Sequence, residues 1–329
     1  GKVLKMLEPA TIYSGNGVVR FQVNRRNNQE SRLLSQTQFA GPNDFAVPAL
    51  KVVNASGHPI AIAFGYACHN SVLNGYEWSA DYSGFAEEAL EKEYKGATAL
   101  FFQGAGGDQI AYPRRTVASA KQHGNELAAA VNRVLSGDMQ KLTPVLTTTY
   151  SEIPLKYSPR FHTPDERYFS SDTARARQDS ANKTFYPYPV QVWKIGEQPV
   201  ITMGGEPLVE YALEFKRLFG QHVFVFGYTN DVMAYIPTTQ VLREGGYEGA
   251  RGGRKDLPWT LNIESSIIQE ILRLSKIAGV PTVAEQSSAN TNDKWKAGVA
   301  TVDITPGEML LAGFPSRSHA ATGKMHDIK

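Results

Sequence analysis

The spacing of apolar and polar positions divides the chain into short strands and longer helices in mixed order. Apolar runs rich in β-branched residues predict strands at 17–24, 50–54, 60–67, 97–102, 145–157, 190–195, 200–203 and 223–228. Helical periodicity, with proline or glycine near the ends, predicts helices at 82–95, 115–136, 207–219 and 263–277. The residues from Asn54 to Gly57 predict a hairpin turn. This mixture favours an α/β (mixed α+β) fold, a layered domain with mixed β-sheets flanked by helices.

Three segments show neither the apolar runs of a strand nor the periodicity of a helix. Residues 157–188 combine arginine, serine, proline and aromatic residues, which predicts a long surface excursion whose aromatic side chains can wall a cleft. Residues 280–294 are polar and predict a linker, or a leader-like segment, without regular structure. Residues 245–255 are rich in glycine but lack the GxxxxGK[ST] order of a phosphate-binding loop, so they predict a shaped loop.

Composition excludes several classes of protein. The 329 residues are 42% hydrophobic, enough to bury the core of one large domain or two modest ones. Lysine and arginine number 34 against 32 acidic residues, and without a basic stripe nucleic acid is not an expected partner. No apolar run approaches the length of a transmembrane helix. The single cysteine, Cys68, excludes an internal disulfide and says nothing about the cellular compartment.

Polar side chains follow four of the predicted strands, namely His69, Asp108, Glu206 and Tyr235. Taken singly, each has an ordinary structural explanation as a hydrogen-bonded histidine, a turn residue, a helix N-terminal acid or a packing tyrosine. The seven histidines contain no HExxH pair, so a metal site would have to be assembled from distant segments. The joint pattern predicts that one face of the fold gathers these strand ends.

The sequences around these residues carry a resemblance. FGYACHNSVL at 64–73, QGAGGDQ at 103–109, GGEP at 204–207 and NDVMAYIPTTQVLREGGYEG at 230–249 stand in order along the chain. In this order, across roughly residues 17–278, they resemble the catalytic domain of the neutral/alkaline non-lysosomal ceramidase family. Residues 297–323 resemble the N-terminal strand and loop of the same family. The resemblance implies a layered fold like that catalytic domain.

The resemblance also implies a zinc amidase in which two histidines, a glutamate and a tyrosine hold the metal. By matching motifs, His69, Glu206 and Tyr235 are the expected ligands. Zn²⁺ would lower the pKa of a bound water to about 7 and polarise the scissile carbonyl. The same matching makes Tyr247 the donor to the oxyanion and Arg25 an arginine near the substrate, although Arg26 can equally occupy that place.

Asp108 is grouped with the catalytic residues because it follows glycines whose amides can hold an oxyanion. Ile110, however, stands where ceramidases carry the serine of GDVSPN, which predicts that ordinary ceramide is a poor substrate. The family's first histidine ligand lies in a THTH-type segment with no counterpart here, and His319 and His326 lie in sequence that matches a loop. No stretch of the sequence resembles the family's C-terminal immunoglobulin-like domain.

The ceramidase-like N-terminal piece follows the residues that match the catalytic domain, so the chain is either circularly permuted or incomplete. We therefore predict a catalytic domain at 1–279, a linker or leader-like segment at 280–294, and a piece at 295–329 that packs into the same domain.

The predicted function is a zinc-dependent hydrolase that cleaves a C–N amide bond, with a ceramide-like lipid of sphingolipid metabolism among the candidate N-acyl amide substrates. The alternatives are a zinc esterase or polar-amide hydrolase, favoured by four arginines in 157–188, and a catalytically degenerate binding domain. The resemblance further implies a secreted or periplasmic protein with peripheral membrane contact.

Overall fold

The computed structural model describes residues 7–36, 38–75, 77–158, 185–250 and 259–289. The chain divides into two compact units, Gly1–Gln286 and Ser287–Lys329, and the elements below belong to the first unit except for the end of the last helix. The strands are β1 Ala10–Val18, β2 Gln22–Asn24, β3 Ala46–Asn54, β4 Pro59–Tyr66, β5 Thr98–Gln103, β6 Gln109–Ala111, β7 Gln140–Lys141, β8 Leu146–Lys156, β9 Phe185–Ile195, β10 Gln198–Met203, β11 Glu206–Pro207, β12 Phe224–Phe226 and β13 Tyr235–Ile236. The helices are α1 Asp81–Glu93, α2 Val117–Ser136, α3 Val209–Phe219, α4 Thr239–Glu244, α5 Gly246–Ala250, α6 Ile263–Ala278 and α7 Val283–Ala289, with a 3₁₀ helix at Glu30–Ser35.

The first sheet has the order β5-β4-β3-β1-β7. Its strands pair in antiparallel fashion except for β4 and β5, which are parallel. The predicted hairpin turn between β3 and β4 is confirmed, because the Asn54 side chain accepts hydrogen bonds from the amides of Ser56 and His58. Helices α1 and α2 pack together and against this sheet, and they bury Ile62 and Phe64 completely.

The second sheet has the order β12-β10-β9-β8, with β10 and β12 parallel. Helix α6 lies on β8 and β9 through isoleucines spaced four residues apart, Ile263, Ile267 and Ile271, which is the spacing of one helical face. All six residues of β10 are buried, and its polar members are Gln198 and Thr202.

The two sheets join at the ends of β5 and β12. The rings of Phe102 and Phe226 stack with centroids 3.7 Å apart, and Gly104 forms an isolated bridge to Phe226. Beyond this junction two short ribbons, β2 with β6 and β11 with β13, continue from the strand ends. The ends of β4, β5, β10 and β12 are therefore gathered on one side of the fold.

The predicted mixed α/β class is confirmed, as are the four predicted helices within a few residues. The predicted strand at 17–24 is wrong in its bounds, because β1 ends at Val18 and β2 begins at Gln22. β1 lacks the usual β-branched pattern since Gly15 and Gly17 face α2. A Cβ atom on either glycine would lie within 2.7 Å of the Val134 side chain.

The irregular segments differ from expectation in two places. Residues 280–294 were predicted to lack regular structure, which is wrong for Val283–Ala289 because Thr282 and Glu285 form a capping box. Part of the glycine-rich stretch 245–255 forms helix α5. Most of the predicted excursion at 157–188, and all of 295–329, lie outside the described residues. Within the described part of the chain, no helix has the length and apolarity needed to cross a membrane.

Candidate active site

The loops that follow β4, β10 and β12 meet at the gathered strand ends. His69 follows β4 and is fixed by its backbone, whose amide donates to the carbonyl of Gln109 at 3.1 Å. Glu206 follows β10 and pairs directly with Tyr235 in the parallel ribbon β11–β13. The glycine-rich turn after β5 lies against this ribbon, because the amide of Gly107 donates to the carbonyl of Pro207 at 2.9 Å.

The glycine at position 107 is required by this packing. A Cβ atom there would lie 2.7 Å from the carbonyl oxygen of Glu206, closer than side-chain carbons approach. The same turn places the Gly107 carbonyl oxygen 3.0 Å from Nε2 of His69. The predicted gathering of the strand ends therefore depends on close backbone contact as well as on the strands.

His69, Tyr228 and Glu206 form a continuous polar contact. The Tyr228 hydroxyl lies 3.1 Å from Nδ1 of His69 and donates to Oε2 of Glu206 at 2.9 Å. Nε2 of His69 lies 3.8 Å from the same carboxylate oxygen. Tyr228 adopts a left-handed backbone conformation, with φ at 55°, an uncommon conformation for a residue other than glycine.

The protonation of this cluster follows from its burial and its geometry. Burial is the main cause that lowers the pKa of His69 to about 4, and the nearby charge of Arg25 contributes to the same shift. The imidazole is therefore neutral at neutral pH. Nε2 of His69 lies 3.0 Å from the Gly107 carbonyl oxygen, a distance at which a ring N–H donates a hydrogen bond, and 3.8 Å from Oε2 of Glu206.

Arg25 connects the other candidate residues. Its Nη2 donates to the Tyr235 hydroxyl at 3.0 Å and to the Gly107 carbonyl at 2.8 Å. Its guanidinium also lies over the rings of Tyr235 and Tyr247, 5.6 Å and 5.2 Å from their centroids. Arg26 instead contacts Glu244, Glu248 and the Gly245 carbonyl, so Arg25 is the arginine of this pair that contacts Tyr235.

Glu248 holds both arginines in place. Its carboxylate accepts from Arg25 Nε at 2.6 Å and from Arg26 Nη1 at 2.8 Å, and its side chain is almost fully buried. Burial alone would raise the pKa of Glu248, but the two guanidiniums outweigh it and the pKa lies below the usual range. Neither Tyr228 nor Glu248 was among the residues predicted from the sequence. Glu248 belongs to the YEG motif already singled out for Tyr247, which was the available signal.

Tyr247 lies at the rim of the site. Its side chain is about half exposed, and its ring is edge-on to that of Tyr235 with centroids 5.5 Å apart. Burial raises the pKa of Tyr235, and the neighbouring Arg25 works against that rise. The predicted roles of Tyr247 and Tyr235 remain predictions, but both rings border the space around Arg25.

Asp108 is fully buried beneath the site. One carboxylate oxygen accepts from the Val209 amide at 3.0 Å and the other from the Asn24 side chain at 2.7 Å. These contacts tie the glycine-rich turn to the first turn of α3 and to β2, which is what a positioning residue does. Burial raises the pKa of Asp108 above its usual range. Its predicted catalytic role remains a prediction.

Among the described residues there is no group of three or more histidine, cysteine, aspartate or glutamate side chains placed to hold a metal. The metal ligands predicted from the sequence are two such residues, His69 and Glu206, together with a tyrosine. His319 and His326 lie outside the described part of the chain.

A pocket of about 450 Å³ adjoins the site and shares Arg25, Tyr247 and Glu248 with it. Ile110 also lines the pocket and forms an isolated strand bridge with His69. The position where ceramidases carry a serine is therefore beside the candidate histidine, and it is occupied here by a buried aliphatic side chain.

Comparison with known proteins shows a ceramidase-like fold. No protein-family model matches the sequence, and no curated protein matches it. The neutral ceramidase of Pseudomonas aeruginosa aligns with 83% of this chain and 53% of its own, at a TM-score of 0.61 and 17% identity. A structure described as ceramidase complexed with C2 gives a TM-score of 0.62 at 16% identity, over 83% of this chain and 54% of that one. The chain thus spans about half the length of these ceramidases.

Proposed function

We propose that the chain is a zinc-dependent hydrolase that cleaves the C–N bond of an N-acyl amide. The observation that carries this proposal is the convergence of His69 and Glu206 from two different strand ends, with Nε2 and Oε2 3.8 Å apart. The ceramidase-like fold supports a hydrolase as the class of enzyme.

The donor atoms fit a zinc ion. Histidine nitrogen and carboxylate oxygen bind zinc at about 2.0–2.2 Å, and one ion can contact both when they lie within about 4.2 Å of each other. Nε2 of His69 and Oε2 of Glu206 are 3.8 Å apart. The residues that would hold the ion are His69, Glu206 and Tyr235. Burial raises the pKa of Tyr235, and Arg25 opposes that rise by favouring the anionic form in which a phenol binds a metal.

When bound, zinc supplies a nucleophilic water at neutral pH and polarises the scissile carbonyl. The chain's own residues then have separate tasks. With Nε2 of His69 on the metal, the ring proton would lie on Nδ1, where the Tyr228 hydroxyl would accept it while donating to Glu206. Arg25 provides a fixed positive charge next to Tyr235, and Tyr247 extends the rim from which a hydroxyl can donate to a developing oxyanion.

Metal analysis of the purified protein, followed by chelation and return of zinc, tests the proposal. We expect bound zinc, loss of hydrolysis of short N-acyl amides after chelation, and recovery when zinc returns. His69→Ala is expected to lose both zinc and activity without unfolding, whereas His222→Ala, an exposed histidine outside the site, keeps both. Activity that survives chelation, or zinc bound equally by His69→Ala, would contradict the proposal.

The polar pocket beside the site favours a second version of this function, the hydrolysis of a polar amide in place of a long-chain lipid. The same assay with esters matched to the N-acyl amides separates amide from ester hydrolysis. Preference for the ester would favour the zinc esterase that the sequence left open.

A further inference from the structure

A second pair of arginines is associated with the pocket beside the candidate active site. Arg114 lines the pocket, and it shares the carboxylate of Glu30 with Arg115. We call these three residues the Glu30 cluster. Arg25 and Glu248 line the same pocket, so it is shared by the candidate active site and the Glu30 cluster.

The walls of the pocket are polar. Ile110 is its only aliphatic side chain among the described residues, and that side chain is 3% exposed. Tyr247 adds one aromatic ring, and the other side chains of the lining are charged or carry amides, including Arg25, Arg26 and Glu248. A hydrocarbon chain requires a continuous apolar groove, which these walls do not provide. The part of a substrate that enters this pocket is therefore polar.

The pocket also has an excess of positive charge. Arg25 and Arg26 are balanced by Glu248 and Glu244. The Glu30 cluster has two guanidiniums and one carboxylate, which leaves one positive charge uncompensated. The hydrogen bond from Arg114 lowers the pKa of Glu30 to about 2, although burial acts in the opposite direction. Glu30 is therefore ionised at neutral pH, and the cluster keeps one net positive charge.

The geometry of Arg114 leaves it able to bind a further group. It engages Glu30 through Nε and Nη2, while its Nη1 has no hydrogen-bond partner within the part of the chain that the structure describes. Arg115 has a left-handed backbone, with φ at 78°, and its amide donates to the Val72 carbonyl. Backbone strain of this kind is retained where the surrounding structure requires a fixed side-chain position.

We propose that this pocket binds an oxyanion of the substrate, a carboxylate or a phosphate, through Arg114. The planar guanidinium matches the paired oxygens of such groups. This inference deepens the proposed hydrolase and rests on it: the substrate is an N-acyl compound that carries an acid close to the scissile amide. Ceramide has no such group.

A binding measurement without turnover tests the inference. The full-length protein, with a chelator present to prevent hydrolysis, is titrated calorimetrically with N-octanoyl-glycine, N-octanoyl-phosphoethanolamine and the neutral N-octanoyl-glycinamide. We expect one or both acids to bind at least about tenfold more tightly than the neutral amide, because each hydrogen bond to a charged group contributes substantially. The tighter acid identifies carboxylate or phosphate as the preferred oxyanion.

Two substitutions should change this preference in opposite directions. Arg114→Gln is expected to weaken binding of the acid about tenfold without changing binding of the neutral amide. Glu30→Gln removes the competing carboxylate and is expected to strengthen binding of the acid. Arg217→Gln, an exposed arginine paired with Glu214 on α3, is the matched control and should have no effect. Circular dichroism confirms that each variant is folded, and Glu30→Gln keeps the test valid if Arg114→Gln is not.

Equal binding of acid and neutral amide, or a preference unchanged in both variants, would overturn the inference. Binding of the acid without hydrolysis when zinc is restored would leave the oxyanion site intact and contradict the proposed hydrolase. Hydrolysis of the neutral amide as fast as that of the acids, together with equal affinity for all three compounds, would contradict the oxyanion site and leave the proposed hydrolase intact.

Discussion

The hydroxyl of Tyr228 donates a hydrogen bond of 2.9 Å to Oε2 of Glu206. Burial is the main cause that raises the pKa of Tyr228, and the charge of Glu206 contributes to the same shift. The phenol therefore stays protonated and remains a hydrogen-bond donor. The same hydroxyl oxygen lies 3.1 Å from Nδ1 of His69. One tyrosine thus orients both of the candidate ligands that lie on different strand ends.

Tyr228→Phe removes this orientation and keeps the aromatic ring. We expect zinc affinity to fall by about 10- to 100-fold, because residues that hold metal ligands by hydrogen bonds typically contribute this much. The measurement is competition for zinc against a chelator of known affinity. Tyr13→Phe, on β1 and away from the site, is the matched control and should bind zinc like the unmodified protein. Unchanged affinity in Tyr228→Phe would show that Tyr228 does not position the ligands.

The strand ends could be predicted from the sequence because β4 and β10 are largely apolar runs, and His69 and Glu206 stand three residues beyond their ends. Tyr228 could not be distinguished in this way. It follows the equally apolar β12, and its role depends on a left-handed φ of 55° that turns its phenol between two other loops. A tyrosine at a strand end is usually a packing residue, and the sequence contains no signal of the backbone conformation.

The same limit applies to β1. Gly15 and Gly17 interrupt the β-branched pattern that would have predicted its bounds, and their small size is explained only by the approach of Val134 from α2. The bounds of β1 thus depend on contacts between segments far apart in the chain, which the local periodicity of the sequence does not show. The capping box of α7 is the opposite case, since Thr282 and Glu285 are a local signal that the polar composition of the segment obscured.

Glu248→Gln should destabilise the fold. The substitution leaves the partly buried Arg25 and Arg26 without the carboxylate they share, and breaking a buried ion pair costs about 2–5 kcal/mol. Glu244→Gln is the matched control, because Glu244 is about half exposed and pairs with Arg26 while accepting from Gln240, so a change within about 1 kcal/mol is expected. Urea unfolding at neutral pH measures both. Equal losses in the two variants would mean that the burial of Glu248 does not determine its contribution.

Ceramide should be hydrolysed slowly compared with short N-acyl amides. Ile110 cannot donate or accept a proton where ceramidases carry a serine, and loss of one polar group at a reacting centre costs about 100-fold or more. Turnover of a fluorescent ceramide beside a short fluorescent N-acyl amide gives the ratio, and Ile110→Ser should raise it. Rapid hydrolysis of ceramide by the unmodified protein would show that a serine is not needed at this position.

Glu210, in the first turn of α3, should make the protein less stable as the pH rises. Burial, and next the charge of Asp108, raise its pKa from 4.5 to about 7, and one of its oxygens has no hydrogen-bond partner among the described residues. Glu264 raises the pKa further and Arg26 opposes the rise. Between pH 4.5 and 7 the folded protein therefore holds a proton that the unfolded chain has lost, so the free energy of unfolding falls as pH increases.

Glu210→Gln removes this penalty because the amide is neutral at every pH. We expect the variant to be more stable than the unmodified protein by about 2 kcal/mol at pH 8, with the difference closing as the pH falls towards 4.5. Glu214→Gln on the same helix is the control of opposite sign, because Arg217 lowers the pKa of Glu214 and ionised Glu214 is stabilising. Urea unfolding at pH 5 and pH 8 measures all three proteins. A Glu210→Gln variant less stable than the unmodified protein at pH 8 would show that the ionised carboxylate is satisfied in the fold.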